Sequence, residues 1–438
     1  MNPFHFKKKY IRVYLFTLLF FLTSAGGIFA QENNRDAKVF TLDGCISEAL
    51  NKHPKLKICE RKSDQKKEKL RAINAGNLPQ VDATASYDRL SYVPQSKQRY
   101  LGSSNNDYKA DIVVTQPLYS GGRITSERDS ARYAIDAAQQ GYLAAREDVI
   151  FNVKSAYYKI LFARDILMSK EDLLKYAELS YNTALDLNKR TKIPREETLL
   201  RLEVQLNEVK QELITAQNRL KIARKALLNA MGLDSTNTIE VQGLKEDIDF
   251  SEDAPVEIAN NPEILKIAKE VKEADELVKV AKSAYYPQIN TRYSYGYEWA
   301  RLPTGDTEWI AGVAVDLNIW DWGKTKAEVN QAKAFEAELK SYGDLLIQRI
   351  GLELESARIE YESAQRIYKI AKTSLEKARK SLDLFGERYR DTLTTSIELL
   401  DAQKAFSRAQ VNYASSLLDM RLAKAEIEKI AGKGYDLK

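Results

Sequence analysis

Histidine, cysteine, long apolar runs and interior proline are the scarce features of this 438-residue sequence. Of its two histidines, His5 lies in an N-terminal stretch expected to be removed, and His53 alone builds neither a catalytic triad nor a metal site. The two cysteines, Cys45 and Cys59, would stand about 21 Å apart on one continuous helix, beyond disulfide reach and without zinc-ligand spacing. They read as small buried apolar residues. Paired carboxylates are plentiful, as on any solvated helix, so they do not mark acid–base chemistry. An enzyme, a cofactor and a bound metal are therefore not expected. Beyond residue 30 no run of about eighteen apolar residues occurs, which excludes a membrane-spanning helix. The formal charge of +5 is mostly the work of the first thirty residues, which hold four basic and no acidic side chains. The remainder carries about +1, with lysines and glutamates interspersed, so no basic patch calls for nucleic acid.

Those first thirty residues read as an export signal. Lys7, Lys8, Lys9 and Arg12 precede an apolar run from Ile11 to Leu22, followed by the small residues of "TSAGG". Ala30–Gln31 and a point near Gly26 or Gly27 are the candidate cleavage sites. A membrane anchor is the alternative, but the run is short for a span. No cysteine follows it, so the usual lipid-attachment point is missing.

The rest is one unit written twice. "ALNKHPKL" (Ala49 to Leu56) resembles "IANNPEIL" (Ile258 to Leu265), and "NLPQVDATASY" (Asn77 to Tyr87) resembles "YYPQINTRYSY" (Tyr285 to Tyr295), both at an offset of 208. Past the next loop the offset is 201, aligning Gly122 with Gly323 and Ala131 with Ala332. The seven-residue difference falls between two extended segments, where loop tips tolerate insertion. The expected division is a signal over 1–30, a first repeat over 41–250 and a second over 251–433, each reading helix, strand, strand, long helix, long helix.

Four segments alternate with period two. Ile289, Thr291, Tyr293, Tyr295, Tyr297 and Trp299 share one face, and Asn290, Arg292, Ser294, Gly296 and Glu298 the other. Val81, Ala83, Ala85 and Tyr87 alternate likewise with polar neighbours, as do Tyr108 to Val114 more weakly, and a fourth ridge is expected from Trp309 to Ile319. None of the ten prolines lies between Pro117 and Pro194, between Pro194 and Pro255, or after Pro303. Since proline breaks helix interiors, helices are expected from Ile124 to Leu187 and from Thr325 to Arg388, the first about 95 Å long. Pro54 and Pro262 suit first-turn positions behind His53 and Asn261. The return helices carry heptads. Leu199, Leu202, Leu206, Val209, Leu213, Ala216, Leu220, Ala223 and Leu227 form one series; Leu399, Ala402, Phe406, Ala409, Tyr413, Ser416, Met420, Ala423, Ile427 and Ile430 form the other. Alone, the heptads fit a soluble helical bundle or an exported coiled-coil adhesin equally.

The strands decide between these. Four amphipathic strands cannot close a barrel, and an open sheet with an aromatic outer face is an aggregation hazard in water. Pooling strands from several chains resolves this, because closed barrels and helices are the two structures that span lipid. The loops at Pro94 to Asp107 and Arg301 to Asp306 would then face outside, and the long helices would extend into the periplasm. Tyr119, Trp320 and Trp322 stand where an interfacial girdle belongs, with core packing as the alternative. Gly121, Gly122 and Gly323 would turn the chain from strand to helix.

The paired units, the His53–Pro54 and Asn261–Pro262 helix openings, "LPQ" and "YPQ" before the strands, the "PLYSGG" junction and "SIELLDAQKAFSRAQVNYASSLLDMRLAKAEIEKIAG" (Ser396 to Gly432) together resemble the TolC-like outer-membrane efflux and secretion channels. The resemblance covers nearly all of the chain beyond the signal. It implies a mainly α fold with β: a helical periplasmic coiled-coil barrel joined to four transmembrane strands, in a homotrimer with a shared twelve-stranded barrel. It also implies an adaptor and an inner-membrane pump of the RND, ABC or MFS type as partners. Acidic residues of the family's tunnel rings align with Glu398 and Asp401, three apart and so on one helix face. Glu197 aligns with Glu398 at the 201 offset, with Glu196 beside it. A solvated charged face is the structural alternative. Tyr389 matches a tyrosine that ties the closed tip in family members, but the expected arginine partner is Thr394 here, with Arg390 as a possible substitute. Opening would untwist the helices near Pro194 and Thr392.

Overall fold

The computed structural model describes residues 39–192, 196–244, 257–301, 304–390 and 396–433. The expected signal, the repeat boundary at 250/251, Pro194, Thr392, Thr394 and the Arg390 side chain lie outside the described residues.

The first unit begins with β1 (Val39–Phe40), α1 (Leu42–Lys52) and α2 (Pro54–Ala75). Strand β2 (Gln80–Arg89) leads through the short α3 (Gln98–Leu101) to β3 (Asn106–Ser120), and α4 (Arg123–Thr191) and α5 (Glu196–Ala230) follow. After β4 (Glu240–Val241) the second unit repeats the plan with α6 (Pro262–Lys282), β5 (Gln288–Arg301), β6 (Thr304–Asp316), α7 (Lys324–Arg390) and α8 (Ser396–Ile430). The 69 residues of α4 and the 67 of α7 each make a rod of about 100 Å. Both fall within a few residues of the bounds that the proline-free stretches set.

Local chemistry sets the helix ends in matched pairs. His53 Nδ1 accepts from the Lys55 amide at 3.1 Å, and Asn261 Oδ1 accepts from the Glu263 amide at 2.9 Å, each with proline in the first turn. At the far ends of α5 and α8, Gly232 (φ 69°) and Gly432 (φ 66°) take the left-handed conformation. Leu233 N–H then donates back to Leu228 and Lys433 N–H to Glu428, closing the helices with the same glycine stop. The break at His53 also separates the cysteines, placing buried Cys45 on α1 and half-buried Cys59 on α2 rather than on one helix.

The four long strands form one antiparallel sheet in the order β2-β3-β5-β6. Its register puts Ala83, Ile112, Tyr295 and Trp309 in one row and Thr84, Asp111, Gly296 and Glu308 in the next. Alternate rows face opposite sides, so one face is apolar and the other polar. The fourth ridge is shorter than expected. β6 ends at Asp316, which pairs with Gln288, the first residue of β5, so Leu317 to Ile319 have no strand beside them. The outer loops are shorter too, because Asp107 and Asp306 already lie in strands.

Helix α4 is the hub. It packs on α2 and α5 of its own unit and on α6 and α8 of the other, while α7 packs on α6 and α8. The largest core surrounds Cys45, Tyr157, Leu227 and Met231, where the Tyr157 hydroxyl donates to the Gln242 carbonyl at 2.6 Å beneath the small β1–β4 sheet. The α4–α8 seam joining the units is largely polar. Ser169 donates to Gln410 at 2.7 Å, Gln403 to Ser180 at 3.1 Å, and Lys154 meets Glu428 at 2.6 Å.

Candidate functional site

The residues that the sequence singles out fall in three regions: the sheet, the strand-to-helix corners, and the far ends of the long helices.

The sheet is uncovered on its apolar side and at both edges. β2 is exposed along its whole length. Val81, Val313 and Trp309 are each about two-thirds exposed, at 67%, 65% and 66%. Near the loops the apolar face carries an aromatic stack that sequence patterning did not assemble. Tyr87 and Tyr108 ring centres are 4.8 Å apart, Tyr108 and Trp299 5.8 Å, and Tyr297 and Trp299 5.4 Å. At the opposite end Tyr119, Trp320 and Trp322 are exposed, the two indoles edge to face at 5.7 Å. Two aromatic belts bounding an apolar band match a lipid-facing barrel wall, and they are not core residues. Among the described residues no helix is long and apolar enough to cross a membrane.

The polar face is acidic toward the loops. Asp88, Asp107, Asp111, Glu298, Asp306 and Glu308 lie there beside one strand-borne cation, Lys109. The sequence contained this signal in the even positions of β5 and β6, but only the register brings the rows together.

The corners use left-handed backbone at Gly121 (φ 63°), Gly122 (φ 85°) and Gly323 (φ 87°), as the three glycines predict. The fourth corner position is Trp322, also left-handed at φ 58°. Asp321 supports it. Its carboxylate accepts from the Gly323 amide at 3.0 Å and the Thr325 amide at 2.8 Å, and it also accepts the Thr325 hydroxyl. The bonds from Thr325 hold the Asp321 carboxyl below the usual range. Ser120 takes the same place in the first unit, accepting from the Ile124 amide at 3.3 Å. Neither cap was singled out in the sequence, although the 201 offset aligns them.

At the helix tips, Glu196 and Glu197 open α5, and Glu398 stands in the first turn of α8 with Asp401 one turn on. All four side chains are exposed, while Leu399, Leu400, Ala402 and Gln403 between and beside them are buried. Glu398 and Asp401 therefore share the face that turns away from the core. Acidic residues in a first turn also suit the helix dipole, so their positions have a local stabilising role as well. Tyr389 is half-buried against Leu382, Leu399 and Ala402, together with Phe385 and Phe406, and burial raises its phenol pKa. Among the described residues no group of acidic, histidine and cysteine side chains is arranged to hold a metal ion.

This architecture is that of known channels. The chain covers 90% of itself and 86% of the outer membrane channel CmeC of Campylobacter jejuni at a TM-score of 0.80 and 20% identity, a likeness of fold. In sequence it is 22% identical to the outer membrane protein OprJ of Pseudomonas aeruginosa, over 93% of this chain and 83% of that one. It is 24% identical to the cobalt-zinc-cadmium resistance protein CzcC of Cupriavidus metallidurans, over 72% and 75% of the two chains. The model of the outer membrane efflux protein family matches residues 45–233 and 256–433, and the chain belongs to that family.

Proposed function

We propose that three copies of this outer-membrane efflux channel protein pool their strands in a twelve-stranded barrel, with the helices forming a periplasmic tunnel beneath it. The observation that carries this reading is the sheet: both edges, β2 and β6, are open, and one face is apolar and aromatic. A four-stranded sheet closes only by pairing with others, and joining β6 of one copy to β2 of the next removes every edge. Exposed Leu345, Leu352 and Ile359, seven residues apart on α7, supply a matching seam for a neighbouring subunit lower down.

The conduit performs no chemistry of its own. Its partners are a periplasmic adaptor and an inner-membrane pump of the RND, ABC or MFS type, which supply energy and choose the cargo. Relatives as different in name as OprJ and CzcC match this sequence along most of its length, which fits a common duct served by different pumps. Glu398 and Asp401 ring the tunnel near its closed end, with Glu196 and Glu197 contributing from the first unit, and Tyr389 helps hold the tip shut. A threefold set of carboxylates in a narrow aqueous passage attracts cations and repels anions. The repeats of 41–250 and 251–433 act as alternating staves of the tunnel wall.

Protein purified from membranes should run as a trimer and open ion-conducting channels in planar bilayers. Replacing Glu398 and Asp401 together by alanine should lower the cation-to-anion permeability ratio. A monomer soluble without detergent would refute the conduit, and unchanged selectivity would remove the two carboxylates from the ring.

A further inference from the structure

The β2–β3 connection, residues 90–105, is sixteen residues long where the β5–β6 turn is only two, and it does not extend away from the sheet. Its short helix α3 packs against β5 and β6 of the other unit. Leu101 is 3% exposed. The Lys97 ammonium contacts Asp107 on β3 and lies 2.7 Å from Glu298 on β5. Arg99 adds a looser contact to Asp306 on β6 at 3.3 Å. All three carboxylates belong to the polar face. On that face Gly296 and Glu298 are buried, while Tyr293 and Tyr295 on the apolar side remain about half exposed, at 46% and 48%. The loop thus folds over the side of the sheet that a shared barrel turns inward.

The anchor is built to hold. Asp107 is 3% exposed, and its second carboxylate oxygen is buried without a hydrogen-bond partner. Lys97 therefore bridges two buried carboxylates that lie diagonally across the β3–β5 pair, where Glu298 stands opposite Lys109. Opposite charge in a partly dry site is screened far less than at an open surface. The hydrogen bonds that Lys97 donates to Asp107 and then to Glu298 raise its pKa, so the ammonium stays charged at any physiological pH.

We infer that the β2–β3 loop is a size-selective element at the outer mouth, and that Lys97 is the residue that seats it across the lumen. The inference rests on the shared-barrel reading. Three inward loops related by the threefold axis narrow the exit, so that bulky polar solutes outside enter the acidic duct slowly. Lys97 also neutralises part of that acidic lining at the point where cargo leaves.

Ser294 provides a reporter. It lies on the polar face four residues deeper than Glu298, roughly 13 Å along the strand. In intact cells carrying Ser294→Cys, labelling at position 294 is followed by mass spectrometry with a small charged thiol reagent and with a maleimide bearing a bulky polar dye. The small reagent should react readily and the bulky one slowly. Lys97→Ala should speed the bulky reagent about tenfold or more, as expected when a constriction is removed. Lys97→Arg should leave it near the parent rate. Lys97→Ala strands two buried carboxylates, so Lys97→Gln with Asp107→Asn and Glu298→Gln removes the charges together and should also open the mouth. Equal bulky-reagent rates in parent and variants would overturn the loop's role alone. Failure of position 294 to react with either reagent in every variant would overturn the barrel reading beneath it.

Discussion

Single residues at the two corners show how differently the same turn can be made. Gly121 and Gly122 are both left-handed, but their surroundings differ. A Cβ on Gly121 would stand 2.6 Å from the Ser283 carbonyl oxygen and 3.0 Å from Tyr286 Cβ, whereas a Cβ on Gly122 would meet nothing within 4 Å. Gly122→Ala should therefore cost the left-handed backbone term of about 1–2 kcal/mol. Gly121→Ala adds a clash with backbone and should cost about 3 kcal/mol or more. Thermal unfolding of the two variants side by side checks the order. His53 offers a pH test. Burial, and then the charge of Lys55, lowers its pKa below the usual 6.5. Its neutral Nδ1 must accept the Lys55 amide, a bond that protonation removes. The stabilising contribution is present above about pH 6.5 and is lost as pH falls through the lower folded-state value. His53→Asn, which copies Asn261, should keep the cap and abolish this part of the pH dependence of the melting temperature. His53→Ala should lose about 1 kcal/mol at neutral pH.

Among the elements, α8 carries more information than its heptad revealed. Leu399, Ala402, Ser416, Met420, Ala423, Ile427 and Ile430 are buried as the three-four spacing predicts. A second stripe beside it, Gln403, Ser407 and Ala414, is buried as well. One stripe serves α7 and the other serves α4, where Ala414 meets Ile166 and Ala216. The second stripe escapes a search for apolar periodicity because Gln403 and Ser407 are polar, and Gln403 Nε2 donates to Ser180, more than two hundred residues away in sequence. Small residues there let α4 and α8 approach closely. Ala414→Leu should overpack the three-helix contact and destabilise the protein by about 1–3 kcal/mol, read as a lower melting temperature. The tip carboxylates belong to this scale too: being three apart on α8 gives Glu398 and Asp401 a common face, and the burial of Leu399 and Leu400 fixes which face it is.

For the molecule as a whole, the separation of faces and the open edges dominate. Val313 lies in the apolar rows, three residues before the end of β6 and 65% exposed, where the proposed barrel meets lipid. Val313→Arg should lower trimer stability by about 1 kcal/mol or more, short of the midplane cost of about 2–4 kcal/mol. Ser294→Arg, three residues along β5 from Thr291, the direct partner of Val313, and on the opposite face, should be tolerated by a water-filled lumen. Trimer yield from membranes, measured for the two variants together, distinguishes them; equal loss in both would argue against a lipid-facing and a lumen-facing side.

The sequence by itself determined the duplication, the apolar and polar faces of each strand, the extent of the long helices and the glycines at three of the four corner positions. These depend on local periodicity, on where proline is absent and on backbone angles, all of which act within a few residues. Only the tertiary structure decided that the strands order as β2-β3-β5-β6 with both edges open, that Trp322 takes a turn made elsewhere by glycine, and that Lys97 reaches carboxylates from both units. The strand order and the Lys97 contacts come from pairing between segments about two hundred residues apart, where the register of one strand on another, and not the pattern of either, sets which side chains meet, while the Trp322 turn rests on the Asp321 cap beside it.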